Sequence, residues 1–121
     1  IEYDSTDDVI KTSKRTQDKN KKRGSETKTS TDVFNLDTFA HADFRAARYI
    51  VAMSKGTDFH STEIMLIHDG TTVSITQYGV LQDATLATFD ADISGANVRL
   101  RCTPASATST TIKFDRTLVD A

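Results

Sequence analysis

Glu63-Ile-Met-Leu-Ile-His-Asp-Gly-Thr-Thr72, Thr76-Gln-Tyr-Gly79 and Leu86-Ala-Thr-Phe-Asp-Ala-Asp-Ile-Ser-Gly-Ala-Asn-Val-Arg-Leu100 decide the fold of this chain. Apolar residues alternate with polar ones in short runs, and each run ends at a turn signal. Alternation of period two is the signature of strands with one buried face. Asp69-Gly70 is among the strongest two-residue hairpin signals, and Ser94-Gly-Ala-Asn97 turns the chain a second time. The stretch is a β meander.

The same period extends outward from this stretch and predicts seven strands. The first covers Val33 to Phe39. The second runs from about Phe44 to Ser54, with Tyr49, Val51 and Met53 on one face and Ile50 and Ala52 on the other, which suits a central strand. Lys55-Gly-Thr-Asp58 supplies a turn in which Gly56 tolerates positive φ. Phe59 to Ile67 and Thr71 to Tyr78 follow, then a looser stretch from Val80 to Ala84. The fifth strand, Thr85 to Ile93, aligns Phe89, Ala91 and Ile93. In the sixth, Val98, Leu100 and Cys102 oppose Arg99 and Arg101. The seventh, Thr110 to Val119, turns Ile112, Phe114 and Leu118 inward. A helix over Thr38 to Met53 is the one rival, favoured by Ala40, Ala42, Ala46, Ala47 and Ala52 but lacking an amphipathic stripe. Seven strands with frequent turns predict an all-β antiparallel sandwich over residues 31–121.

At 121 residues and 37% hydrophobic content the chain suits one core. No apolar run approaches the roughly 20 residues that cross a bilayer as a helix, so a soluble chain is expected. Cys102 is the single cysteine, which rules out an internal disulfide and is simplest as a small core residue. The chain opens on Ile1 without a secretory or transit pattern and is read as the visible part of a longer protein.

The net charge of −2 hides an asymmetry. Residues 1–10 carry four acids and no base, residues 11–30 carry eight bases against two acids, and residues 31–121 carry seven bases against eleven acids. Because Lys11 to Ser30 holds no apolar residue, it lacks the surface to offset its ordering entropy and is expected to be an extended basic arm, residues 1–30, preceding the sandwich. Its bases, Lys11, Lys14, Arg15, Lys19, Lys21, Lys22, Arg23 and Lys28, are the candidate partner-binding residues. They suit docking on an acidic protein surface or serve a plain solvated tether. Nucleic acid is disfavoured, since no aromatic residue interleaves the run to stack on bases. Ile1, Tyr3, Val9 and Ile10 have the composition of a short strand that adds to a neighbour.

Catalytic candidates are few. On one strand His60 and His68 share a face about 27 Å apart at roughly 3.4 Å per residue, too far for one metal. Asp90 and Asp92 fall on one face and could hold calcium, but a solvated charged row opposed by Arg99 and Arg101 across the next turn is the simpler account. No Gly-x-Ser-x-Gly, phosphate-binding glycine loop or zinc spacing occurs. His41 is expected at the surface. Neither enzymatic activity nor a cofactor is predicted.

Phe44-Arg-Ala-Ala-Arg-Tyr-Ile-Val51, Ser61-Thr-Glu-Ile-Met-Leu-Ile-His-Asp-Gly-Thr-Thr72, Gln77-Tyr-Gly79 and Thr88-Phe-Asp-Ala-Asp-Ile-Ser-Gly-Ala-Asn-Val-Arg-Leu100 resemble a β domain of virion structural proteins in tailed bacteriophages, especially myoviruses of marine cyanobacteria. The resemblance covers roughly Phe34 to Val119 and leaves out the basic arm. It implies a component of the phage particle, assembled in the host cytoplasm: a tail-associated fibre, adaptor or neck protein, or else a head decoration or head fibre. It further implies other virion proteins as partners, homo-oligomers with trimers favoured for fibres, and contact with a host-surface glycan as one use of the sandwich. The family brings no catalytic residues. A carbohydrate-binding module is the rival from another class and would need exposed aromatics beyond Tyr78 and Phe59.

Overall fold

A computed structural model describes residues 20–121. Eight strands follow one another: β1 (Lys21–Lys28), β2 (Phe34–Ala40), β3 (Phe44–Lys55), β4 (Asp58–His68), β5 (Val73–Gln82), β6 (Ala87–Ser94), β7 (Asn97–Pro104) and β8 (Thr110–Asp120). They form two antiparallel sheets, one ordered β1-β8-β3-β4-β5 and the other β2-β7-β6. The expected all-β sandwich is what the chain forms. No helix occurs among the described residues, and the Thr38 to Met53 stretch divides into the end of β2, a tight turn and most of β3.

The predicted faces hold. Tyr49, Val51 and Met53 are buried on β3 while Ile50 is half-exposed on the other side, and Val98, Leu100 and Cys102 point inward from β7. Together with Leu36, Phe39, Ile64, Leu66, Leu86, Ile112, Phe114 and Leu118 they fill the space between the sheets. Burial pushes the Cys102 thiol up to about 12. Gly56 and Gly70 turn their hairpins at φ 60° and 93°, and Asp69 fixes the second by accepting from the backbone N–H groups of Thr71 and Thr72 at 2.9 and 2.8 Å.

Two expectations need correction. Lys21–Lys28, expected within an extended arm, is a strand with continuous register against β8, from Lys21 opposite Thr117 to Lys28 opposite Thr110. That makes eight strands instead of seven. It lies at a sheet edge, so it shows no apolar alternation of its own, and its order comes from β8. The Phe114 ring lies across Gly24, where a Cβ would meet the ring's Cε1 at 2.2 Å, so only glycine leaves room for it. The stretch from Val80, expected to be loose, remains in β5 as far as Gln82. A register shift opposite Ser61 and Glu63 admits an extra residue there, with Gly79 at φ 62°. The bulge breaks the alternation in sequence without ending the strand.

Candidate interaction surface

An aspartate in the smaller sheet fastens it to the larger. Lys22, Arg116 and Tyr49 stand opposite one another across β1, β8 and β3, so their inward side chains form one row. The β2 ladder shifts register between Asn35 and Asp37. The shift turns both Leu36 and Asp37 inward, and the Asp37 carboxylate meets that row. Its Oδ2 accepts from Tyr49 Oη and Arg116 Nη1, both at 2.8 Å, and its Oδ1 accepts from Lys22 Nζ at 2.9 Å. Burial first, and the neighbouring Asp37 charge second, push the Tyr49 hydroxyl far above its ordinary range, so it remains a donor. Alternation alone turns Arg116 inward with Phe114 and Leu118, and Asp37 inward with Phe39, but sequence reading missed the cluster because nothing local shows which inward residues of different strands meet across the two sheets.

Of the eight bases assigned to partner binding, Lys11, Lys14, Arg15 and Lys19 lie outside the described residues. The other four divide by face. Lys22 turns inward to Asp37, and the Lys28 ammonium lies 4.5 Å over the Phe34 ring. Lys21 and Arg23 are exposed on the outer side of β1, where Arg23 approaches Asp115 at 3.7 Å, a solvated pair of little energetic weight. The structure therefore does not gather the four bases into one patch.

The histidines belong to the scaffold. His60 Nδ1 accepts from the Leu86 backbone N–H at 3.2 Å, and burial holds this imidazole below the usual histidine range. His68 Nδ1 accepts from the Gly70 N–H at 3.0 Å, so its Nε2 carries the proton and donates to the Phe44 carbonyl at 2.6 Å. His41, expected at the surface, is half-buried with its ring centroid 5.9 Å from that of His68. Among the described residues no group of three His, Cys, Asp or Glu could hold a metal ion. Asp92 stands opposite Arg99 and Asp90 opposite Arg101, as the charged row requires. Arg99 grips Asp92 through Nε at 2.7 Å and Nη2 at 2.5 Å and holds its carboxyl below the usual range.

The unusual surface is the outer face of the larger sheet. The outward faces of such sheets are ordinarily solvated and polar. Here Val119, Ala46, Ile67 and Ser74 form one row across β8, β3, β4 and β5, and Thr117, Arg48, Met65 and Thr76 form the next. Ile67 is 52% and Val119 58% exposed. An open apolar hollow among Ala46, Met65, Ile67 and Thr76 lies between the rows. Beyond them Arg48 holds Glu63 at 2.8 Å and lowers its carboxyl range, a charged belt separating this patch from exposed Phe59 and Leu81.

No family model and no curated protein matches the chain in sequence. Solved structures of similar fold include three phage tailspikes. The tailspike of Acinetobacter baumannii phage AM24 is 10% identical, with 84% of this chain and 26% of that one covered at a TM-score of 0.48. For the tailspike of Acinetobacter phage vB_ApiP_P1 the values are 16%, 84%, 22% and 0.45. For tailspike gp49 of Acinetobacter baumannii bacteriophage Fri1, described as a capsular polysaccharide depolymerase, they are 15%, 83%, 20% and 0.35. The chain thus spans about a quarter or less of each tailspike. Likeness at this level assigns neither activity nor role to this chain.

Proposed function

We propose that this chain is a structural module of a tailed-phage virion of the kind its sequence blocks resemble in cyanobacterial myoviruses, part of a tail-associated fibre, adaptor or neck protein assembled in the host cytoplasm. The apolar outer face around Ala46, Met65, Ile67 and Val119 carries this reading, because contiguous exposed apolar surface marks a protein that works against other protein. Other virion proteins and further copies of the chain are its partners. Lys11, Lys14, Arg15 and Lys19, with exposed Lys21 and Arg23, supply positive charge for anchoring on an acidic neighbour. Lys22 and Lys28 are taken up by Asp37 and Phe34 and fall outside that role.

Mass spectrometry of gradient-purified particles, with immunogold labelling, tests the proposal. Peptides of this chain should co-purify with infectious particles and gold should label tails. Labelled heads would favour a decoration or head-fibre protein, and absence from particles would refute a virion role. A surface that binds host glycans is the weaker reading, because Phe59 and Tyr78 are the exposed aromatics of this outer face among the described residues and stacking on sugars would need more. A glycan array with no hit would leave assembly as the work of the face.

A further inference from the structure

We propose that two copies of this chain pair through β5, edge to edge and antiparallel about a two-fold axis, so that the larger sheet runs on from one copy into the other. This goes beyond the virion reading and does not depend on it. Sheets protect their open edges with charge, proline or inward-pointing charged residues. Among the described residues three of the four edges here are protected in that way. β1 carries Lys21, Lys22, Arg23, Glu26 and Lys28, β2 turns Asp37 inward, and β6 carries Asp90 and Asp92. β5, ten residues long, has neither a charged residue nor a proline.

The backbone of β5 is set for such pairing. The Asp69 N–H donates to the Thr72 carbonyl at 3.1 Å and closes the hairpin. Because antiparallel ladders alternate, Ser74, Thr76 and Tyr78 spend their backbone groups on β4, while Val73, Ile75 and Gln77 direct theirs to the open edge. The Gly79 bulge ends this regular run. An axis through Ile75 lets that residue bond its own counterpart and sets Val73 against the counterpart of Gln77. Ser74 then faces the counterpart of Thr76.

Charge identifies the occupant as a second copy. Across a two-fold axis a strand meets its own reversed sequence, so pairing with a second copy requires that no cluster of one charge sign lie near the axis, as Lys21, Lys22 and Arg23 do in β1. A strand without charge, in a chain with 26% charged residues, meets that condition where β1 does not. The contact would also cover Val73 and Ile75, which pack on the core yet stay half-exposed in one copy. On the outer side it would extend the apolar hollow beside Met65 and Ile67.

Light scattering of the 121-residue chain over a concentration series tests the pairing, with circular dichroism to verify folding. A dimer that dissociates on dilution is expected. Ser74→Lys combined with Thr76→Lys sets lysines against lysines across the axis and should weaken the dimer at least about 100-fold. Ser74→Lys combined with Thr76→Glu mutates the same exposed positions but sets opposite charges face to face, and should keep the dimer. A wild type that is monomeric at every concentration, a trimer of the kind the family resemblance implies, or two double variants that behave alike would overturn the proposal.

Discussion

Asp37 fastens the smaller sheet to the larger through three side-chain hydrogen bonds. It is a fully buried carboxylate with three donors from three strands of the opposite sheet, and the Arg116 beneath it is itself nearly buried, with its Nε unpartnered. Removing Asp37 leaves Arg116 charged and nearly dry and the buried Tyr49 hydroxyl without its acceptor, whereas replacing the buried members with apolar groups removes the penalty. Asp37→Ala should therefore lower unfolding free energy by about 3 to 5 kcal/mol in urea titrations. Asp37→Leu combined with Tyr49→Phe and Arg116→Met should recover most of that loss. His60 sets the acid limb. Its folded imidazole titrates below the ordinary 6.5, so the unfolded chain binds the proton first. Its contribution is constant above that value and declines as pH falls through it towards the folded pKa. Urea midpoints between pH 7.5 and 5 should fall, and His60→Gln, which keeps an acceptor for the Leu86 N–H, should flatten that fall. Carboxylates held low by partners, such as Asp92 under Arg99, lose their contribution only at more acid pH.

At the scale of elements, β1 and β5 are two solutions to the problem of an open edge. β1 is charged, contributes no large apolar side chain and adheres through eight register pairs and the fit of Phe114 over Gly24. Its attachment is therefore sensitive to volume. Gly24→Ala drives a methyl group into a buried ring and should cost about 1 to 3 kcal/mol. The same change in a Phe114→Leu background should cost less, a coupling that a double-mutant cycle of urea titrations would measure. Hairpins β3-β4, β4-β5 and β6-β7 were legible because Gly56, Asp69-Gly70 and Gly95 announce the turns and the intervening strands alternate cleanly. β1 was illegible because an edge strand can be held by a neighbour's hydrogen bonds and one aromatic ring, neither of which leaves a period in its own sequence.

For the whole molecule, a sandwich of five strands over three buries one face of the large sheet and leaves its outer face exposed. The expected boundary at Thr31 bears directly on this architecture. A chain beginning at Thr31 would lack β1, strip Phe114 of its cover and take Lys22 from Asp37. Its unfolding free energy should be on the order of 3 to 6 kcal/mol below that of a chain beginning at Asn20, at about 0.5 to 1.5 kcal/mol net per lost hydrogen bond. Equal stability in parallel urea titrations would show that β1 contributes nothing to the fold.

What the sequence by itself determined is the set of faces. Period-two alternation states which side of each strand is apolar, and turn residues state where strands reverse, because both depend on neighbours in the chain. The all-β sandwich, the inward row of β7 and the charged row of Asp90, Asp92, Arg99 and Arg101 follow from that local information. Only tertiary structure decided that Asp37 meets Lys22, Arg116 and Tyr49, that two of the four described arm bases, Lys22 and Lys28, turn inward, and that β5 ends the sheet without charge. Those outcomes depend on strand order and register between residues far apart in the chain, 79 positions for Asp37 and Arg116, where one bulge redirects a side chain.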